Sequence, residues 1–345
     1  MPTQSTAPAP PKLSSLTLPW PTDWPGLFGR AAPLILEIGF GTGTFLVHLA
    51  RSRPDANLVG LEISNRSLVT MEKAVVRERL TNVRVVHSLA ETALHHLFTP
   101  GALAQVYINF PDPWFKTRHS HRRLMQRDTL DALVSRLEPG GVLYLATDII
   151  EYAQMSHRLL RATPGLDNQL AAAWSTEPLP GRIVTKYEAK AHREGRACYY
   201  FAYRRNDQPA PPVPVIKDLA MPHIVFNSPL TLAAIQAAFA PAQHTIPHGA
   251  GALHISWVAA YRSETALLFE VHIGEPTITQ RLALTLIQRS GGDFTLQMST
   301  LGQPRPTAGV HHAVRLLGDW LIGLHPDAHA KIQKVQPADA QPPRD

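Results

Sequence analysis

Residues 33–50 read Pro33-Leu-Ile-Leu-Glu37-Ile-Gly39-Phe-Gly41-Thr-Gly43-Thr-Phe45-Leu-Val-His-Leu49-Ala50. An apolar run interrupted only by Glu37 has the pattern of a strand buried on both faces of a parallel sheet. Three glycines at alternate positions predict a tight turn, and Phe45, Leu46, Leu49 and Ala50 then recur at helical spacing. Strand, glycine-rich turn and helix form the opening unit of a nucleotide-binding βαβ fold. Its glycines let a ligand approach the backbone, and its helix N-terminus offers free N–H groups.

The spacing here is G-x-G-x-G behind an acidic residue, where a dinucleotide site has G-x-G-x-x-G. This variant suits S-adenosylmethionine, which has no pyrophosphate to cradle but carries an ammonium group that Glu37 can hold. Asn57 to Leu61 reads as the second strand and ends in Glu62, 19 residues after Gly43. An acidic side chain at that separation meets ribose hydroxyls. Ser64 is placed to cap a helix from Asn65 to about Leu80. A third strand, Asn82 to His87, leads into Ser88-Leu89-Ala90-Glu91, where many nucleotide-binding methyltransferases carry an Asp that meets the adenine. An adenine contact here is expected to use backbone groups, Ser88 or Glu91.

Ala102 to Asn109 is the fourth strand, and it opens Asn109-Phe-Pro111-Asp112-Pro113-Trp114-Phe-Lys116-Thr-Arg118-His119-Ser-His121-Arg122-Arg123. Each proline disfavours the helical region in the residue before it, which predicts extended Phe110 and Asp112. A carboxylate on a stiff loop, beside an aromatic ring and a cationic track, suits a charged, stackable substrate. A helix from Leu124 to Leu137 is expected to end at Pro139-Gly140-Gly141, and a fifth strand, Val142 to Ala146, delivers Thr147-Asp148. Ligands in open α/β sheets bind beyond the carboxyl ends of the strands, so Glu37, Glu62, Asp112 and Asp148 are expected on one edge. Helix Glu151 to Ala162 follows. Residues 182 to 196 form a second basic track, a solvated loop if taken alone, but one that runs into the aromatic strand Ala197 to Tyr203.

Length, charge and cysteine usage bound the alternatives. A chain of 345 residues exceeds one ordinary domain. The net charge of +6 is unevenly placed, with 24 Lys and Arg against 18 Asp and Glu through Val215 and 9 against 9 beyond it. A polyanionic partner is therefore expected for the first part. A single cysteine, Cys198, excludes a disulfide framework, and no run of 18 apolar residues spans a membrane. His311-His312 lacks further ligands at metal spacing. These features predict a cytoplasmic protein with neither a metal nor a membrane partner, as a monomer or homodimer. Its expected organisation is a flexible leader and arm (1–32), with the aromatic stretch Trp20 to Gly29 read as an arm docked on the domain, an α/β domain (33–205), a Pro-rich linker (206–215), a smaller α+β domain of unassigned role (216–326) and a flexible tail (327–345).

With these residues laid out, the first 205 positions resemble the bacterial tRNA (guanine-N7)-methyltransferase family, which modifies a guanine of the tRNA variable loop. The resemblance rests on Leu36-Glu37-Ile-Gly39-Phe-Gly41-Thr-Gly43, Gly60-Leu-Glu62, Asn109-Phe-Pro-Asp112-Pro-Trp114, Ala146-Thr147-Asp148 and Thr185-Lys186-Tyr187-Glu188. It implies a Rossmann-like class I S-adenosylmethionine-dependent methyltransferase sheet that uses Glu37, Gly39, Gly41, Gly43 and Glu62 for the cofactor. Asp112 would be catalytic and also near the cofactor, while Lys116, Asp148, Thr185, Lys186, Tyr187 and Glu188 meet the substrate. Arg118, Arg122, Arg123, Lys190 and Arg193 are expected on tRNA phosphates. Phe115 replaces the family's usual Pro and Leu89 its usual acid; neither change removes a residue the chemistry requires. Two rivals stand beside this reading. An amino methyltransferase needs Asn or Asp followed by Pro-Pro and an aromatic, which Asn109-Phe-Pro-Asp does not supply. A non-catalytic tRNA-binding subunit would have no need of an intact Glu37, Glu62 and Asp112.

Overall fold

The computed structural model of the chain describes residues 12–114, 123–249 and 251–336. The chain divides into two units, Met1–Val215 and Ile216–Asp345. The first runs β1 (Lys12–Ser14), α1 (Trp24–Phe28), β2 (Leu34–Ile38), α2 (Thr44–Ser52), β3 (Asn57–Glu62), α3 (Asn65–Arg77), β4 (Val83–His87) and α4 (Ala90–His96). It continues with β5 (Leu103–Asn109), α5 (Arg127–Arg136), β6 (Leu137–Thr147), α6 (Ile150–Arg161), β7 (Leu166–Asn168), α7 (Lys186–Arg193) and β8 (Tyr199–Arg205).

All five residues of β2 are buried, as the apolar run requires. The sheet order is β1-β4-β3-β2-β5-β6-β8-β7. Strands β1 to β6 pair in parallel, and β8 and β7 add antiparallel pairings. From β2 the chain builds outward first through β3 and β4 and then, on the other side, through β5 and β6. This reversal leaves a crevice beyond the carboxyl ends of β2 and β5. The register aligns those ends, with Ile38 opposite both Leu61 and Ile108, and Asn109 opposite Ala146. Gly43 starts α2 at φ 77°, and a Cβ there would lie 2.4 Å from Met71 Sδ, so glycine alone lets α2 pack on α3.

The structure departs from the sequence reading in the leader and the tail, whereas the aromatic segment from Trp20 to Gly29 docks as that reading expects. The leader contributes β1 from Lys12, and Trp20 and Trp24 are buried, Trp24 stacking on Phe98 at 5.1 Å. Burial of these aromatics docks the arm against β4 and α4. At the other end, His329–Lys334 is a strand on the sheet edge where a tail was expected. Helix α3 stops at Arg77 because Arg79 adopts φ 53°.

The proline-rich connection is anchored at its far end. Arg136, fully buried, donates to the carbonyls of Leu94 (2.7 Å), Val213 (3.0 Å) and Pro214 (3.0 Å). Burial lowers its pKa to about 10. The three carbonyls satisfy donors that would otherwise be stranded away from water.

The second unit comprises β9 (His223–Asn227), α8 (Leu232–Ala238), β10 (Ala242–His248), β11 (Gly251–Arg262), β12 (Ala266–Glu275), β13 (Ile278–Gln288), β14 (Asp293–Met298), α9 (Ala308–Gly323) and β15 (His329–Lys334). Its strands form an antiparallel sheet ordered β10-β11-β12-β13-β14-β9-β15. Alternate residues such as Ile255, Trp257, Phe269, Val271 and Phe294 bury one face with Val310, Val314 and Leu317 of α9. His311 is part of the packing, with Nε2 2.8 Å from the carbonyl oxygen of Ala220 and Nδ1 accepting from the N–H of Gln336 at 3.0 Å. No helix among the described residues is long and apolar enough to cross a membrane.

A chain ended after Arg205 loses the Val213 and Pro214 acceptors, whereas one ended after Val215 keeps them. The shorter form is expected to melt roughly 5 °C or more below the longer. Equal melting temperatures in calorimetry would show that the anchor adds nothing.

Candidate active site

Glu37 is the penultimate residue of the wholly buried β2 and is only 2% exposed. Its Oε1 accepts from Asn109 Nδ2 at 3.0 Å, and its Oε2 is buried with no hydrogen-bond partner among the described residues. Desolvation raises its pKa to about 7, against the opposing pull of the Asn109 hydrogen bond and the Arg182 guanidinium. Glu62 adds a smaller repulsion in the same direction as desolvation. A buried carboxylate oxygen without a donor is costly unless a cation or donor arrives from outside.

The glycine turn supplies the floor. Gly39 and Gly41 adopt φ 71° and 55°, and a Cβ on Gly39 would meet nothing within 4 Å. The backbone there borders open space that a ligand can enter. Glu62 is held by three backbone donors, Gly41 N on Oε2 (3.0 Å) and Ile63 N (2.8 Å) and Ser64 N (3.0 Å) on Oε1. A carboxylate has about four acceptor sites, so capacity for an incoming hydroxyl remains.

Residues Thr185, Lys186 and Tyr187 close the cleft over Glu37, Gly39, Gly41 and Asn109. The second basic track is thus a helix start, not a solvated loop. Thr185 and Glu188 form a capping box, which satisfies the first N–H groups of α7. Glu188 is fully buried and also accepts from Tyr200 Oη, so it shapes the helix from beneath and its carboxylate does not face the cleft. Lys186, Lys190 and Arg193 are exposed at i, i+4 and i+7, one face of α7. Lys190 also lies 3.8 Å from Glu194.

The loop after β5 differs from expectation. Phe110 has φ 52°, left-handed rather than extended. Its N–H still bonds to Ala146 O at 2.8 Å, and its ring packs on the cluster of Ala146, Ala191, Cys198 and Tyr200. Ring burial and the ladder bond hold a backbone conformation that costs roughly 1–3 kcal/mol by itself. Trp114 is also left-handed, at φ 41°, and Asp112 is exposed between them. Arg123, expected on a phosphate, instead donates to Pro113 O (3.1 Å) and Trp114 O (3.1 Å) and pins this loop. Lys116, Arg118 and Arg122 lie outside the described residues.

Asp148, at the end of β6, pairs with Arg196, which also contacts Glu194 at 2.5 Å. Ser88 is buried and donates to Leu89 O at 2.8 Å, while Leu89 is 49% exposed at the start of α4. A separate open hollow beside α6, lined by His157, Arg161 and Asn168, holds none of the expected residues. The sequence reading passed over Arg182. It is largely buried, donates to Asn109 Oδ1 at 2.7 Å, and lies over the rings of Phe45 (5.1 Å) and Tyr200 (5.3 Å). Its position three residues before Thr185 was the one available signal.

Comparisons with known proteins agree with this picture. Residues 31–201 match a family model described as "Putative methyltransferase". A tRNA (guanine-N(7)-)-methyltransferase of Thermus thermophilus is 33% identical over 304 residues, covering 88% of this chain and 93% of that protein. Proteins of the same name from Cupriavidus pinatubonensis and Shewanella pealeana are 38% and 37% identical over 196 and 195 residues. Each covers 56% of this chain, and 77% and 82% of the respective relatives. A match of 304 residues cannot fit within a first unit that ends at Val215, so the likeness to the Thermus protein runs into the second unit.

Glu37 yields a pH test. Its folded pKa of about 7 lies above the ordinary 4.5, so the folded state binds more protons between these values and loses stability as pH rises through them. Glu37→Gln is expected to raise the melting temperature of the ligand-free protein at pH 8, by the equivalent of up to about 3 kcal/mol. The gain should vanish near pH 4.5; a pH-independent difference would mean that burial does not hold the proton.

Proposed function

This chain belongs to the tRNA (guanine-N(7)-)-methyltransferase family and is an S-adenosylmethionine-dependent enzyme that methylates N7 of guanine in tRNA; we propose that the guanine lies in the variable loop and that Asp112 stabilises it as it becomes cationic. The observation that carries this reading is the buried Glu37 Oε2, without a hydrogen-bond partner among the described residues, beside the open backbone of Gly39. An ammonium group fits the first and an approaching ligand fits the second. Glu37 would hold the cofactor's ammonium and Glu62 its ribose, while the glycine turn gives both room. S-adenosylmethionine supplies, when bound, an electrophilic methyl group on a sulfonium.

Guanine N7 already has an in-plane lone pair, so no residue is needed to remove a proton from it. The work of the chain is to position the base and to stabilise charge. Asp112 stands exposed on a loop pinned by Arg123, at the exit of the strand whose Asn109 holds Glu37. Its carboxylate would accept from N1–H and the 2-amino group of guanine. Those donors become more acidic as the purine gains positive charge, and the bonds strengthen. Adenine lacks the pair of donors, which gives base selectivity. Asp148, neutralised by Arg196, and Glu188, buried under α7, would support the substrate side through the elements they fix. Lys186, Lys190 and Arg193 would track the phosphates, with Lys116, Arg118 and Arg122 added on residue type.

Incubation with labelled S-adenosylmethionine and unmodified tRNA, followed by nucleoside analysis and mapping, is expected to yield 7-methylguanosine in the variable loop. Retained tRNA binding without that product would indicate a binding subunit. Asp112→Asn should lower kcat by about 100-fold or more while tRNA affinity stays within a few fold. Full turnover would remove the carboxylate from the mechanism. Replacing Lys186, Lys190 and Arg193 together by Ala should make the log–log salt dependence of tRNA binding shallower by about two to three units.

A further inference from the structure

The Glu37 carboxylate does not stand alone; it is the end of a directed chain. Arg182 has only donors, so the atom of Asn109 facing it at 2.7 Å must be the amide oxygen. That fixes the amide plane and leaves Asn109 Nδ2 to donate to Glu37 Oε1 at 3.0 Å. Oε1 is thereby engaged and Oε2 is left without a partner among the described residues. The guanidinium is itself held between the rings of Phe45, on α2, and Tyr200, on β8. The loop that carries it is tied to α2 by His48 Nε2 and Gly181 O at 2.9 Å. Nε of Arg182 is buried and has no hydrogen-bond partner among the described residues.

We propose that Arg182 is a positioning residue for the cofactor: through Asn109 it orients Glu37 so that one carboxylate oxygen stays free for the ammonium group of S-adenosylmethionine. This inference rests on the cofactor reading given above. Arg182 touches neither the reacting atoms nor, on this account, the cofactor. Its charge also favours the ionised carboxylate, in opposition to desolvation and to Glu62. Among the described residues, the other charged or titratable groups facing the pair are Tyr107 on β5, which faces both, and Glu188 on α7, Cys198 before β8 and Tyr200 on β8, which face Arg182. Lysine keeps the charge but not the planar fork that reaches Asn109 while stacking on two rings.

The test uses the full chain and two ligands. S-adenosylhomocysteine carries the ammonium group, and 5′-methylthioadenosine keeps the adenosyl part without it. By calorimetry at pH 8, Arg182→Met is expected to weaken S-adenosylhomocysteine about tenfold and methylthioadenosine less than about twofold, with Arg182→Lys intermediate. The pH midpoint for S-adenosylhomocysteine binding should move upward in Arg182→Met, and in a Glu37→Gln background the substitution should have no further effect. Equal weakening of both ligands, or unchanged binding of both, overturns the proposal. Where Arg182→Met does not fold, Asn109→Ser breaks the same chain; wild-type affinity for S-adenosylhomocysteine in that variant also overturns it. Failure of the cofactor reading is separate: the wild type would then not bind S-adenosylhomocysteine, or Glu37→Gln would bind it normally.

Discussion

The first unit is built around one unfavourable placement, a carboxylate at the end of a strand buried on both faces. Glu37 lies between β3 and β5, where water cannot solvate it, and the described residues satisfy only one of its oxygens. In that setting ionisation is costly until a cation arrives, and an arriving cation gains a strong, poorly screened partner. The glycine turn, the register of the parallel strands and the stacked Arg182 all serve this one position. A site of this kind selects for charge before it selects for shape.

The neighbouring loop solves a different problem, that of holding an exposed carboxylate still. Phe110 and Trp114 take left-handed backbones, which are unfavourable for residues with a Cβ. Packing of the Phe110 ring and the bonds from Arg123 to Pro113 O and Trp114 O offset that cost. Asp112 is therefore presented from a loop with little freedom, which suits hydrogen bonds that must strengthen as charge develops on a base. Helix α7 complements it, with a capped and buried underside and a cationic outer face.

The second unit has its own core, in which α9 lies against the antiparallel sheet. Gly318 permits the close approach, since a Cβ there would meet Ile224 Cδ1 at 2.4 Å. The match to the Thermus thermophilus protein reaches into this unit, whereas the other two relatives match 56% of the chain. Its zero formal charge separates it from the basic first unit, where the cationic helix face lies.

Much of the fold was legible in local pattern. The apolar run of β2, the alternate glycines and the acidic residues at strand ends encode a strand, a turn and a sheet edge through side-chain period and backbone freedom, which are properties of neighbours in sequence. The same holds for the long strands of the second unit, whose alternation matches their buried faces. Other features were decided only by approach between distant segments. Lys12–Ser14 and His329–Lys334 are strands because an edge was there to pair with, not because of their own composition. Arg123 was expected on a tRNA phosphate and Glu188, by the family resemblance, on the substrate, yet their bonds go to Pro113 and Trp114 and to Thr185 and Tyr200. Arg182 read as one more cation in a basic track. A donor's partner is set by which acceptor tertiary packing brings within hydrogen-bond reach, and across a separation of 73 positions no periodicity records that Arg182 meets Asn109.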